Sequence, residues 1–119
     1  MATKFLNANA SGSEYSVWVD TAGSNTSVMM SNVAISLRYL ELNNDSGGTV
    51  YFKAAENADS VCGTTAPEYV VRVPNGTLTR IVIPGGQAMT AYSYWVVQGS
   101  ADNNTSAPGG AVTVKVIFA

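Results

Sequence analysis

Apolar and polar residues alternate with a period of two along most of this chain, and no window sustains the stripe of an amphipathic helix. The alternation predicts strands over Lys4–Asn7, Glu14–Asp20, Asn32–Leu42, Thr49–Ala54, Glu68–Val73, Thr77–Ile83, Thr90–Gln98 and Ala111–Phe118. Between them lie clusters of Gly, Asn, Asp, Ser and Pro, residues that break or turn the backbone. The sharpest such signal is Pro74-Asn75-Gly76, set between two β-branched runs. Asn-Gly tolerates the positive φ angles of a type I′ turn, so Glu68–Val73 and Thr77–Ile83 are expected to form a hairpin. Pro84-Gly85-Gly86 is expected to end its second arm, because proline cannot donate to a ladder and glycine permits a reversal.

A chain of 119 residues holds one domain. Strands without helices at that length imply two packed sheets or a closed barrel. The expected fold is all-β: an antiparallel, jelly-roll-like β-sandwich of about eight strands. It spans residues 1–119 as one domain, with residues 1–12 as an extended N-terminal arm. The polar stretches Glu56–Pro67 and Ser100–Gly110 read as surface loops at the ends of the sandwich.

Composition adds an unusual surface. Charged residues make up 12% of the chain, against about 25% in an ordinary domain. Asn, Ser, Thr and Gly supply the missing polarity, leaving little charge repulsion to oppose self-association. Five of the six cations, Arg38, Lys53, Arg72, Arg80 and Lys115, fall one per predicted strand. The acids gather in loops or at strand ends, as at Asp20, Asp45, Glu56, Asp59, Glu68 and Asp102. Cations within strands discourage edge-to-edge pairing. They also suit a docking face, because by parity their neighbours are apolar. Arg38 shares its parity with Leu40 and Leu42, Arg72 with Val70, Arg80 with Leu78 and Val82, and Lys115 with Ile117. A free-standing sandwich would alternate cleanly between apolar-in and polar-out. Either the loops cover these faces or another subunit does. Arg38, Leu40, Leu42, Val70, Arg72, Leu78, Arg80, Val82 and Ile117 are the candidate interface residues.

Candidate chemistry is sparse. The chain contains no histidine, which removes the commonest general base, the His-dependent triads and most transition-metal sites. Its eight acids are scattered over loops and do not suggest a two-carboxylate hydrolase. Asn43-Asn44-Asp45-Ser46-Gly47 and Asp102-Asn103-Asn104 offer oxygens to Ca²⁺, yet both serve equally as turn formers and lack the ligand density of a calcium loop. The paired glycines at 47–48, 85–86 and 109–110 belong to turns rather than a phosphate cradle. The single cysteine, Cys62, excludes an internal disulfide and reads as an inert, buried or half-buried thiol. No catalysis, metal or cofactor is expected.

Trp18, Tyr92, Tyr94 and Trp95 are the candidates for a sugar-stacking platform, with core or interface packing as the competing use. A net charge of −2, without any basic run, argues against nucleic acid or an anionic membrane as partner. The N-terminal stretch lacks the apolar core of a signal peptide, and no run is long enough to span a membrane as a helix. Synthesis in a cytosol is expected, and the six Asn-x-Ser/Thr sequons read as accidents of composition.

Two stretches and the last strand resemble a known pattern. Leu40–Lys53 (LELNNDSGGTVYFK), then Arg80–Gln87 (RIVIPGGQ) and Ala111–Phe118 (AVTVKVIF), look like small virion proteins of tailed bacteriophages. In that group an Asn- and Gly-containing hairpin precedes an I-x-I-P-x-G turn and a closing strand. The resemblance implies a capsid decoration (cement) protein on the outer surface of a phage head. It would contact the major capsid protein or other virion subunits, as a homo-oligomer, and be located in the virion. A carbohydrate-binding adhesion module and a head-fibre or tail accessory subunit are the alternatives.

Overall fold

The computed structural model describes residues 2–8 and 14–119, and among them every regular element is a strand. In chain order these are β1 (Ala2–Ala8), β2 (Glu14–Asp20), β3 (Val28–Ser31), β4 (Ile35–Asp45), β5 (Val50–Ala55), β6 (Tyr69–Val73), β7 (Leu78–Met89), β8 (Tyr92–Val97) and β9 (Ala111–Phe118). They form two antiparallel sheets ordered β1-β2-β9-β4-β7 and β3-β8-β5-β6. Without β1, the strand order is that of a jelly roll: two four-stranded sheets between which the chain passes back and forth. β1 extends one sheet by pairing with β2, Phe5 standing opposite Val17. The segment expected as an arm over residues 1–12 is therefore a strand over Ala2–Ala8, and residues 1 and 9–12 lie outside the described residues.

The core follows from period two. On β9, Val112, Val114, Val116 and Phe118 point inward while Thr113, Lys115 and Ile117 point out. From the facing sheet Val50, Phe52, Tyr92, Tyr94 and Val96 meet them. Phe52 and Tyr94 stack with ring centroids 5.4 Å apart. Each such fully buried side chain contributes about 1.5–3 kcal/mol of burial. Tyr94 also anchors a buried polar chain, its hydroxyl donating to Asp20 Oδ2 at 2.6 Å and accepting from Trp18 Nε1 at 2.9 Å.

Four details correct the sequence reading. The strand expected over Asn32–Leu42 is displaced to Ile35–Asp45, and a separate short strand that the pattern does not predict, Val28–Ser31, precedes it in the other sheet. Ser31 Oγ, bonded to the Val33 carbonyl at 2.8 Å, turns the chain between them.

The Asn75-Gly76 turn joins no hairpin. β6 pairs with β5 and β7 with β4, so this turn carries the chain from one sheet to the other. Only Gly76 has positive φ (70°), and Thr77 N bonds the Pro74 carbonyl, a type II pattern and not I′. The corner is pinned by the buried Asn44, whose Nδ2 donates to the carbonyls of Gly48 (2.8 Å) and Val73 (2.9 Å).

Pro84-Gly85-Gly86 does not end β7, which runs on to Met89. The three residues form most of a large bulge: Tyr39 faces Val82 and Leu37 faces Gln87, leaving Ile83–Gly86 opposite Arg38 alone.

β4 is irregular at the same place: Leu37 faces Phe118 and Tyr39 faces Ile117 on β9, so Arg38 is an extra residue on β4. Parity reverses at Arg38 and Tyr39, so Leu40 (2% exposed) and Leu42 (0%) face the core and do not share the outer face as expected.

Candidate interaction surface

The outer face of the five-stranded sheet is laid out by register. Val17 of β2, Ile117 of β9, Tyr39 of β4 and Val82 of β7 stand in one row across four adjacent strands. The next row holds Val19, Lys115, Glu41 and Arg80 in the same strand order. Beyond it come Thr113, Asn43 and Leu78, with Asp45 at the end of β4. The first row is an apolar stripe, half-buried at Val17, Ile117 and Tyr39 and 68% exposed at Val82.

Charge is organised beside the stripe. Glu41 Oε1 accepts from Tyr39 Oη at 2.7 Å and from Arg80 Nε at 3.2 Å. The Tyr39 bond, then those from Arg80 and the positive field of Lys115, hold the Glu41 carboxyl below its ordinary value against desolvation. The same bond to Glu41 raises the Tyr39 phenol. Arg80 and Lys115 thus lie in one row with a carboxylate between them.

On the opposite side of the stripe, Arg38 extends over the Tyr15 ring, 5.9 Å from its centroid. Gly86 permits this: its φ is +79°, and a Cβ there would overlap the Ser36 hydroxyl and stand 2.9 Å from Arg38 Nε. The β7 bulge therefore makes room for the cation that borders the stripe.

The nine candidate interface residues separate into three places. Arg38, Leu78, Arg80, Val82 and Ile117 come together on this face. Leu40 and Leu42 are core. Val70 and Arg72 lie exposed on β6, on the outer side of the other sheet. Val17, Val19 and Tyr39 were absent from the sequence expectation, because their place in the rows depends on which strand neighbours which.

The outer face of the four-stranded sheet is closed by the chain itself over its central strands β5 and β8, while Met29 on β3 and Val70 and Arg72 on β6 stay exposed at its edges. All six residues of β8 are buried, Tyr92, Tyr94 and Val96 against the core and Trp95 and Val97 in a second cluster with Ala55. Cys62, half-buried, packs on that cluster, its Sγ 3.7 Å from the Asn104 carbonyl. Burial pushes the Cys62 thiol up, with the nearby Lys53 opposing. Lys53 is itself fully buried and donates to the Ala101 carbonyl, and burial lowers its pKa, countered by Asp102 and Cys62. Ser93 hydrogen-bonds Ser60 and the Asn57 carbonyl, while Asn104 Oδ1 accepts from Gly99 and Ser106 N–H at 3.1 Å. The loops after β5 and β8 are therefore fastened over this sheet.

This placement corrects the stacking platform. Tyr92, Tyr94 and Trp95 have no exposed surface, and Trp18 is half-buried with its indole N–H engaged by Tyr94. The four rings offer no open shelf for a sugar.

Among the described residues, no group of three or more His, Cys, Asp or Glu is placed to hold a metal ion. Nor is any helix among them long and apolar enough to cross a membrane. In comparisons with known proteins, the chain matches no family model and no curated sequence.

Proposed function

We propose that this protein is a virion structural subunit of the capsid decoration type, non-catalytic, docking on other virion subunits through the outer face of its five-stranded sheet. The observation that carries the reading is the apolar row Val17–Ile117–Tyr39–Val82, flanked by Arg38 on one side and by Lys115 and Arg80 on the other. Apolar area at about 25 cal/mol per Å² supplies the driving force of such a contact, less the cost of association. The flanking cations select a partner surface bearing acids, contributing specificity and encounter rate more than affinity. The jelly-roll topology and the resemblance of Leu40–Lys53, Arg80–Gln87 and Ala111–Phe118 to phage decoration proteins support the same reading. Assembly as a homo-oligomer belongs to it, since a chain with only 12% charged residues has little charge repulsion to oppose a second copy.

Co-sedimentation tests it. The wild-type protein is expected to pellet with phage heads assembled without it. Val82→Asp and Ile117→Asp are expected to stay folded by circular dichroism and remain in the supernatant. Folded variants that still pellet would place the contact elsewhere; no pelleting of wild type would overturn the decoration reading.

A further inference from the structure

The two sheets part along the side where β6 and β7, each with a single strand neighbour, form the edges. Between them lies a cleft of about 270 Å³ walled by Leu37, Leu40, Val71, Ile81 and Ile83. Tyr69 and Gln87 border this cleft and also a second recess of about 170 Å³, whose wall carries Glu56 and Glu68. Neither recess is lined by a lysine or arginine. The Glu56 carboxylate is held in place, its Oε2 accepting from Thr90 N–H at 3.0 Å. Tyr69 divides the two environments, its hydroxyl donating to Met89 Sδ at 3.6 Å.

We propose that this joined cleft binds an amphiphile with an aliphatic body and a cationic head, of the alkylammonium class. The aliphatic walls exclude a polar body, since nothing on them would replace the hydrogen bonds lost to water. The volume admits a chain of roughly eight carbons, allowing about 30 Å³ for each water-sized group. Each methylene withdrawn from water strengthens binding about fourfold. At the Tyr69–Gln87 end the head reaches the recess of Glu56 and Glu68, where a cation is attracted and a fatty-acid carboxylate repelled. The site lies away from the five-stranded face and does not depend on the proposed capsid contact.

Calorimetric titration with octylammonium, octanol and octanoate at pH 7, below micelle-forming concentrations, tests the assignment. Octylammonium is expected to bind saturably at one site, at least threefold tighter than octanol, with octanoate weakest. Hexylammonium, two methylenes shorter, should bind about 15-fold more weakly than octylammonium. The double variant Glu56→Gln/Glu68→Gln, both positions exposed, should lose the preference for the amine and keep the affinity for octanol. Ile81→Phe, filling the cleft, should abolish binding of both. Absence of saturable binding, octanoate binding as tightly as the amine, or an unchanged preference in the double variant would each overturn the proposal.

Discussion

The outer faces of the two sheets start from the same sequence pattern and end differently. Each carries cations among apolar residues in its strands: Lys53 beside Trp95 and Val70 on one, Arg80 and Lys115 beside Val82 and Ile117 on the other. On the four-stranded sheet, loops 56–68 and 98–110 close over the central strands β5 and β8. Exposure is left to the edge strands, at Met29 on β3 and at Val70 and Arg72 on β6. On the five-stranded sheet, by contrast, no loop among the described residues is fastened over the row in which Val82 stands largely exposed and Val17, Tyr39 and Ile117 half-buried. A buried lysine inside a loop cover is an internal fastening, whereas Arg80, paired with Glu41, and Val82 beside it stand uncovered. The sign of the residues does not distinguish the two cases; the cover does.

The largest effects separate the faces by stability. Trp95→Ala empties a fully buried site under the loops and is expected to cost about 3–5 kcal/mol. Ile117→Ala, on the half-exposed stripe, is expected to cost less than about 1 kcal/mol in the free protein, because little cavity forms there. Urea denaturation of both variants checks the contrast, and equal costs would mean that the stripe is as integral as the covered face.

A smaller effect sharpens the account of Lys53. Its pKa is lowered by burial, so below that depressed value the folded state bears the cost of a buried charge. The cost is relieved as pH rises towards the usual lysine value near about 10.4. Cys62 and the buried Tyr92 and Tyr94 are raised, mainly by burial, and act in the opposite sense. Their stabilisation is complete below their ordinary values, near about 8.5 for the thiol and about 10 for the phenols, and fades above them. Lys53→Met keeps those three groups and removes the amine. The stability of wild type relative to Lys53→Met is therefore expected to improve between pH 7 and 10, read from denaturation midpoints. A difference that is flat with pH would mean that Lys53 is solvated.

The architecture was legible where alternation alone decides it. β2, β5, β6 and β9 lie within one residue of the strands that the pattern predicts. Legibility failed where one strand's geometry is set by another. Nothing in Ile35–Asp45 announces the parity reversal at Arg38, which shows only in the register with β9, and Gly85-Gly86, in the facing irregularity of β7, reads locally as a terminator. Asn75-Gly76 marks a turn but does not say whether its arms pair, and here they enter different sheets. Thus Leu40 and Leu42 were assigned to the outer face, while Val17, Val19 and Tyr39 went unseen because a row is a property of neighbouring strands. The covered face was illegible for a related reason. Glu56–Pro67 and Ser100–Gly110 are polar throughout, and only the hydrogen bonds of Ser93, Asn104 and Lys53 reveal which sheet they lie against.

The distinction between a covered and an uncovered face is most directly tested by hydroxyl-radical footprinting of the protein, free and assembled on phage heads. Tyr39, Val82 and Ile117 are expected to become protected on assembly, with Val70 unchanged and Trp95 protected in both states. Protection of Val70 with Tyr39 and Val82 still reactive would contradict the account, placing the contact on the four-stranded side.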